Sequence, residues 1–260
     1  MILLKVVLVR FALTDKAGFS RFLNPIRLVA LAACLCSPAF AVNPDRLISQ
    51  YGHTAWRVQN GFFDGAPTSI AQTSDGYLWV GTSSGIVRFD GVRFVPWNPP
   101  GVGPLRSAAI NALLGAKDGG LWIGTVFSGW SRWGNGRLTQ YPEPSASVVG
   151  SFLEDGNETT WLTRKSTGDD LGSVCEVTRG QVRCYGESNG IPRRCCNALA
   201  KDNTGAFWLT SDTEVLKWAP RSSSARRWKI PGAIAVQTHV FLAPLSEDSA
   251  WIGVVVPGPG

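Results

Sequence analysis

Asp75-Gly76-Tyr77-Leu78-Trp79-Val80-Gly81-Thr82-Ser83-Ser84-Gly85-Ile86-Val87-Arg88-Phe89-Asp90-Gly91 is the stretch on which the reading of the fold rests. It reads turn, strand, turn, strand, turn. Asp-Gly at each end is a hairpin-type dipeptide, since glycine takes a positive φ without steric cost. The two runs between are β-branched and aromatic, which suits a pleated, half-buried surface.

The same pattern recurs at Asp118-Gly119-Gly120-Leu121-Trp122-Ile123-Gly124-Thr125. It recurs more loosely at Glu154-Asp155-Gly156 through Trp161-Leu162-Thr163, at Lys201-Asp202 through Trp208-Leu209-Thr210, and at Glu247-Asp248 through Trp251-Ile252-Gly253. The anchor tryptophans Trp79, Trp122, Trp161, Trp208 and Trp251 are 43, 39, 47 and 43 residues apart. A short apolar strand precedes each copy, at residues 69–72, 110–114, 148–153, 197–199 and 239–242. Copies one and two close with Arg93–Trp97 and Arg137–Tyr141.

Four short strands every 40–45 residues or so form one blade of a β-propeller. A blade cannot bury both faces of its own sheet, so it becomes stable between neighbours around an axis. The expected fold is therefore all-β, a propeller of four to five four-stranded blades spanning residues 64–260, with the last blade truncated and the ring incomplete. An open β-sandwich is the alternative, but a sandwich gives no reason to repeat a tryptophan at this period.

Residues 1–41 read differently. Lys5, Arg10, Lys16, Arg21 and Arg27 stand against the single acid Asp15, and Leu28–Leu35 is apolar. Ala39-Phe40-Ala41 has the small-x-small form of a signal-peptidase site, so cleavage is expected after Ala41 and the mature chain is expected in the periplasm. Leu31–Cys34 also fits a lipoprotein box, behind a very short apolar run. The whole chain carries 25 basic and 19 acidic residues, a net +6. Without the leader, 20 basic residues face 18 acidic ones, so most of the excess belongs to targeting and no nucleic-acid footprint remains. No membrane span is expected in the mature chain. Residues 42–63 form an N-terminal segment in which Tyr51–Val58 reads as a strand.

Cysteine placement agrees with export. With Arg179-Gly180 as a two-residue turn, Thr178 faces Gln181 and Cys175 faces Cys184. The latter is a non-hydrogen-bonded pair, with Cα atoms about 4.5 Å apart, and a cross-strand disulfide is expected. Cys195 and Cys196 are adjacent, and a bond between them would strain the intervening peptide. Buried thiols or a partner in another chain stay open.

Catalytic patterns are missing from the sequence. No phosphate-cradling loop or nucleophile elbow is present, and no metal or cofactor site is expected. Asp75, Asp118, Asp155 and Asp202 read as turn residues. Trp56, Trp97, Trp130, Trp133, Trp218 and Trp228 lie off the anchor position, as blade packing or as stacking surfaces.

The segments Tyr51–Trp56, Ile70–Thr82 and Gly85–Gly91 resemble the two-component regulator propeller repeats, found in periplasmic sensor regions of bacterial hybrid histidine kinases and some diguanylate cyclases. The resemblance covers about residues 47–252 and is tightest in the first two repeats. It implies a ligand-sensing input module without catalysis of its own, either the N-terminal part of such a sensor or a truncated gene product. The implied ligand is a small molecule or a glycan, and the implied partners are downstream sensor domains or a second chain completing the ring. A secreted propeller enzyme acting on polysaccharide and a protein-interaction scaffold are the alternatives.

Overall fold

The computed structural model describes residues 55–58, 61–100, 105, 109–141, 147–156, 158–166, 171–193, 195–230, 239–246 and 249–255. The leader, its cleavage point after Ala41 and residues 51–54 lie outside these. The backbone divides into two units, Met1–Ala55 and Trp56–Gly260, and the second carries all the strands below.

Four sheets have four antiparallel strands each. The first comprises β1 (Pro67–Gln72), β2 (Leu78–Thr82), β3 (Gly85–Phe89) and β4 (Phe94–Trp97). The second comprises β5 (Ile110–Gly115), β6 (Leu121–Thr125), β7 (Trp130–Gly134) and β8 (Arg137–Tyr141). The third is built from β9 (Ser147–Glu154), β10 (Thr159–Ser166), β11 (Val174–Thr178) and β12 (Gln181–Tyr185). The fourth contains β13 (Ala198–Lys201), β14 (Phe207–Thr210), β15 (Glu214–Trp218) and β16 (Ala225–Lys229). A hairpin of β17 (His239–Ser246) and β18 (Ser249–Val255) follows.

The first strands of successive sheets lie beside one another: β1 with β5, β5 with β9, β9 with β13, and β13 with β17. The sheets are thus propeller blades in an open arc, as the period requires. The anchors occupy one place in every blade. Trp79 pairs with Ala71, Trp122 with Leu114, Trp161 with Leu153, Trp208 with Ala200 and Trp251 with Ala243, always second strand against first. The first four indoles are each 4% exposed. The segment at residues 55–58 is not strand. Trp56 instead lays its ring 5.5 Å from Phe89 and 5.4 Å from Phe94, across the outer part of the first blade.

Blade boundaries are closed by apolar clusters and latched by polar side chains. Ile86, Ile110, Leu121 and Ile123 fill the first boundary, while Val149, Leu162, Cys175 and Val177 fill the second. The pairing slips at Thr68 in β1 and at Asn111 in β5. Such bulges re-aim a side chain. Thr68 Oγ1 donates to the Ile110 carbonyl at 2.7 Å, and Asn111 Nδ2 donates to the Val149 carbonyl at 2.7 Å, each reaching the next blade's first strand.

The β11–β12 hairpin matches the expected register. Thr178 pairs with Gln181 and Cys175 with Cys184, and Arg179 and Gly180 both have positive φ, at 50° and 81°. Cys175 and Cys184 are disulfide-bonded, with Cα atoms 4.0 Å apart. Replacing both by serine is expected to cost about 2–3 kcal/mol, a fall in Tm of roughly 5–10 °C in scanning calorimetry. Cys195 and Cys196 depart from expectation: they are bonded to each other across a cis peptide. Both are buried in the cluster between the third and fourth blades.

Candidate functional site

Counting back from the first four anchor tryptophans explains where a site forms. Six residues earlier stand Thr73, Ala116, Asp155 and Asp202. Thr73, Asp155 and Asp202 accept a hydrogen bond from the anchor indole, at 2.8, 3.1 and 3.0 Å. The turn aspartates are therefore not one repeated position. Asp155 and Asp202 hold the indole, while Asp75 and Asp118 sit two residues later in the turn. In the second blade that place is taken by the small Ala116, whose side chain cannot accept, and space opens beside Trp122.

Opposite the anchors, on the third strand of each blade, stand Arg88, Arg132, Glu176 and Lys217. The three cations among them, Arg88, Arg132 and Lys217, each lie over an anchor ring, at 5.9, 5.6 and 5.5 Å. This cation–π pairing was legible in principle, as a basic residue nine or ten positions after the tryptophan, but the spacing carries no signature until the strands are paired.

The space beside Trp122 is a cleft of about 600 Å³ between the second and third blades. Trp122, Arg132, Thr139 and Tyr141 form the wall from the second blade, and Thr160 and Val177 form the wall from the third. Lys117, Asp118, Glu154, Asp155, Glu158 and Arg179 rim it. The Trp122 and Tyr141 rings are 5.9 Å apart, and Trp130 stacks behind Tyr141. Burial pushes the Tyr141 phenol above its ordinary pKa, partly offset by the nearby Arg132 cation.

Arg132 is seated rather than loose. It is ion-paired with Asp118 and lies over Trp122. A Cβ on Gly120 would lie 2.8 Å from its Nη2, and one on Gly134 2.8 Å from its Nη1. The two glycines thus leave room for the guanidinium. A guanidinium fixed in this way presents its remaining N–H groups in a set direction. Across the boundary, Glu154 Oε2 accepts from the Lys117 amide at 2.8 Å and ties the two rims together. The disulfide belongs to the same apolar cluster as Trp122 and Val177, behind the cleft.

Of the residues singled out from the sequence, the cleft gathers Trp122, Asp118 and Asp155. Trp79, Trp161 and Trp208 hold the same place in other blades, and the side chain of Trp251 lies outside the described residues. Among the described residues no group of three or more His, Cys, Asp and Glu side chains is arranged to hold a metal ion, and no helix is long and apolar enough to cross a membrane.

Residues 61–84 and 104–127 match the family described as two component regulator propeller, and these segments carry Trp79 and Trp122. No curated protein matches the chain by sequence. Among solved structures, the chain is similar to the extracellular domain of the hybrid two component system BT4673 from B. thetaiotaomicron. The TM-score is 0.56 at 19% identity, over 72% of this chain and 25% of that one. A second structure of the BT4673 extracellular domain, described as a one component system, gives 0.54 at 18%, over 72% and 26%. Streptogramin B lyase gives 0.52 at 17%, over 73% and 62%. The chain thus spans about a quarter of the length of the BT4673 domains. These likenesses establish the propeller fold.

Proposed function

We propose that this chain, which carries two-component regulator propeller repeats, is part of an exported sensor's input region, and that it recognises a small ligand in the cleft between its second and third blades. The observation that carries this is the seated Arg132 over Trp122, facing a cleft whose volume lies within the range of about 300–1,000 Å³ usual for small-molecule sites. Extracellular sensor domains share its fold, the basic leader reads as an export signal, and the Cys175–Cys184 bond suits an oxidising compartment.

Recognition is favoured over catalysis by the way the carboxylates are engaged. Asp118 is paired with Arg132, Asp155 accepts from the Trp161 indole, and Glu154 accepts from the Lys117 amide. All three act as hydrogen-bond acceptors that position neighbours.

Thr139 is exposed on β8 and lines the cleft, so tryptophan there fills it without touching the core. A metabolite screen by thermal shift tests the proposal. A ligand at 100 times its Kd contributes about 2.7 kcal/mol, a rise in Tm of roughly 5–10 °C. That rise is expected in the parent protein and absent in Thr139→Trp. An equal rise in both places the ligand elsewhere.

A further inference from the structure

Three residues before each of the first four anchors the backbone is left-handed. Gly76, Gly119 and Gly205 have φ of 89°, 86° and 88° there, and the third blade has Glu158 at 57°. Glycine takes this conformation without strain, whereas glutamate has a Cβ to crowd. The neighbouring hairpin repeats the choice. Asn135 opens the Asn135-Gly136 turn of the second blade at φ 52°, asparagine being the residue such a turn prefers, whereas the third blade has Arg179 at 50°. Both unexpected side chains line the cleft. They flank the cross-strand pair Thr159 and Thr178, and neither forms an ion pair among the described residues. A carboxylate and a guanidinium, each held at a position that costs the fold strain, stand unpaired at one cleft rim. Strain kept in this way points to use.

We infer that the cleft takes a zwitterion, an α-amino acid or short unblocked peptide. Its ammonium sits between Glu158 and Glu154, and its carboxylate on Arg179 and the seated Arg132. Trp122 and Tyr141 supply the floor for an apolar side chain. A carboxylate and a guanidinium side by side at the rim of an aromatic floor suit a ligand carrying both charges, and a purely anionic or cationic molecule would meet a like charge there. The inference rests on the cleft being the ligand seat.

Calorimetric titration with free L-amino acids and glycyl-L-phenylalanine tests it, each beside its N-acetylated and C-amidated forms, with maltose as a neutral control. Saturable binding of an unblocked compound is expected, weakened about tenfold or more by blocking either end. Glu158→Gly and Arg179→Asn are expected to keep or raise Tm, because both relieve strain, while weakening binding about tenfold or more. A merely structural role would not separate these readouts. Absence of zwitterion binding, equal binding of the blocked forms, or full affinity in both variants would overturn the inference. Maltose binding that is lost in Thr139→Trp, with no zwitterion bound, would remove the ligand class and leave the cleft standing. Undiminished zwitterion binding in Thr139→Trp would remove the cleft as the seat, and this inference with it.

Discussion

Replacing Gly115 by alanine is expected to be the most damaging single-methyl change in the protein. Gly115 ends β5, where the second blade's inner strand passes the first blade's. A Cβ there would lie 2.7 Å from the carbonyl carbon of Gln72, and closer still to its oxygen. That neighbour is backbone, held in the ladder between β1 and β2 by the pairing of Gln72 with Leu78. It cannot rotate away as a side chain end would. Relief requires the two blades to separate, which also strains the Thr68 latch between them. Overpacking of this kind costs about 3 kcal/mol or more, so a fall in Tm of roughly 6–12 °C is expected. Gly156→Ala is the control. It has open space around it and no positive φ, and it should stay within about 0.5 kcal/mol of the parent. Equal stability of the two variants would mean the inner strands are not packed backbone to backbone.

The second large effect belongs to Asp202. Its side chain is 1% exposed. Oδ1 accepts from the Thr204 amide at 2.9 Å, the Thr204 hydroxyl at 2.6 Å and the Ala206 amide at 3.1 Å. Oδ2 accepts from the Trp208 indole at 3.0 Å and pairs with the Lys217 ammonium at 3.0 Å. Burial alone would raise the carboxyl's pKa. The hydrogen bonds from Thr204, Trp208 and Lys217 outweigh it and hold the group far below the usual carboxylate range. Asparagine would turn an N–H₂ toward donors and remove the carboxylate charge that faces the mostly buried Lys217. The expected cost is about 3 kcal/mol at neutral pH.

The pH dependence follows in sign. A carboxyl with a lowered folded pKa stabilises the fold fully above its unfolded value, about 3.9, and that contribution fades as pH falls through the folded value. The urea midpoint of the parent should therefore drop steeply below pH 4. Asp202→Asn should start lower and fall less. Asp212 contributes in the same direction: burial raises its pKa, but hydrogen bonds from Lys165 and Asn197 bring it below the ordinary value. The variant should thus keep a residual slope. Parallel curves for the two proteins would deny Asp202 this role.

What could be read from the sequence was whatever depends on neighbours along the chain. Trp79 and Trp122 announce second strands because turn, strand and turn are local, and Cys175 meets Cys184 because a two-residue turn sets register. The cleft depends on how two blades diverge, which no single repeat encodes. Ala116 signals it only once the first, third and fourth blades show an indole acceptor at that place. Glu158 is unremarkable in the sequence and becomes informative only when its backbone is seen to be glycine-like. The Cys195–Cys196 bond is not announced by the sequence, which leaves buried thiols or a partner in another chain open.

The central claim is that one tryptophan-centred sheet recurs with its indole buried at the same place, and that the cleft lies where the second copy lacks the acceptor. Hydrogen exchange at the indole N–H groups, followed by ¹⁵N NMR in D₂O, tests this most directly. The indoles of Trp79, Trp161 and Trp208 should exchange as slowly as central-strand amides, since each donates to a fixed acceptor inside its blade. Exchange of these three as fast as that of the exposed Trp56 would contradict the account.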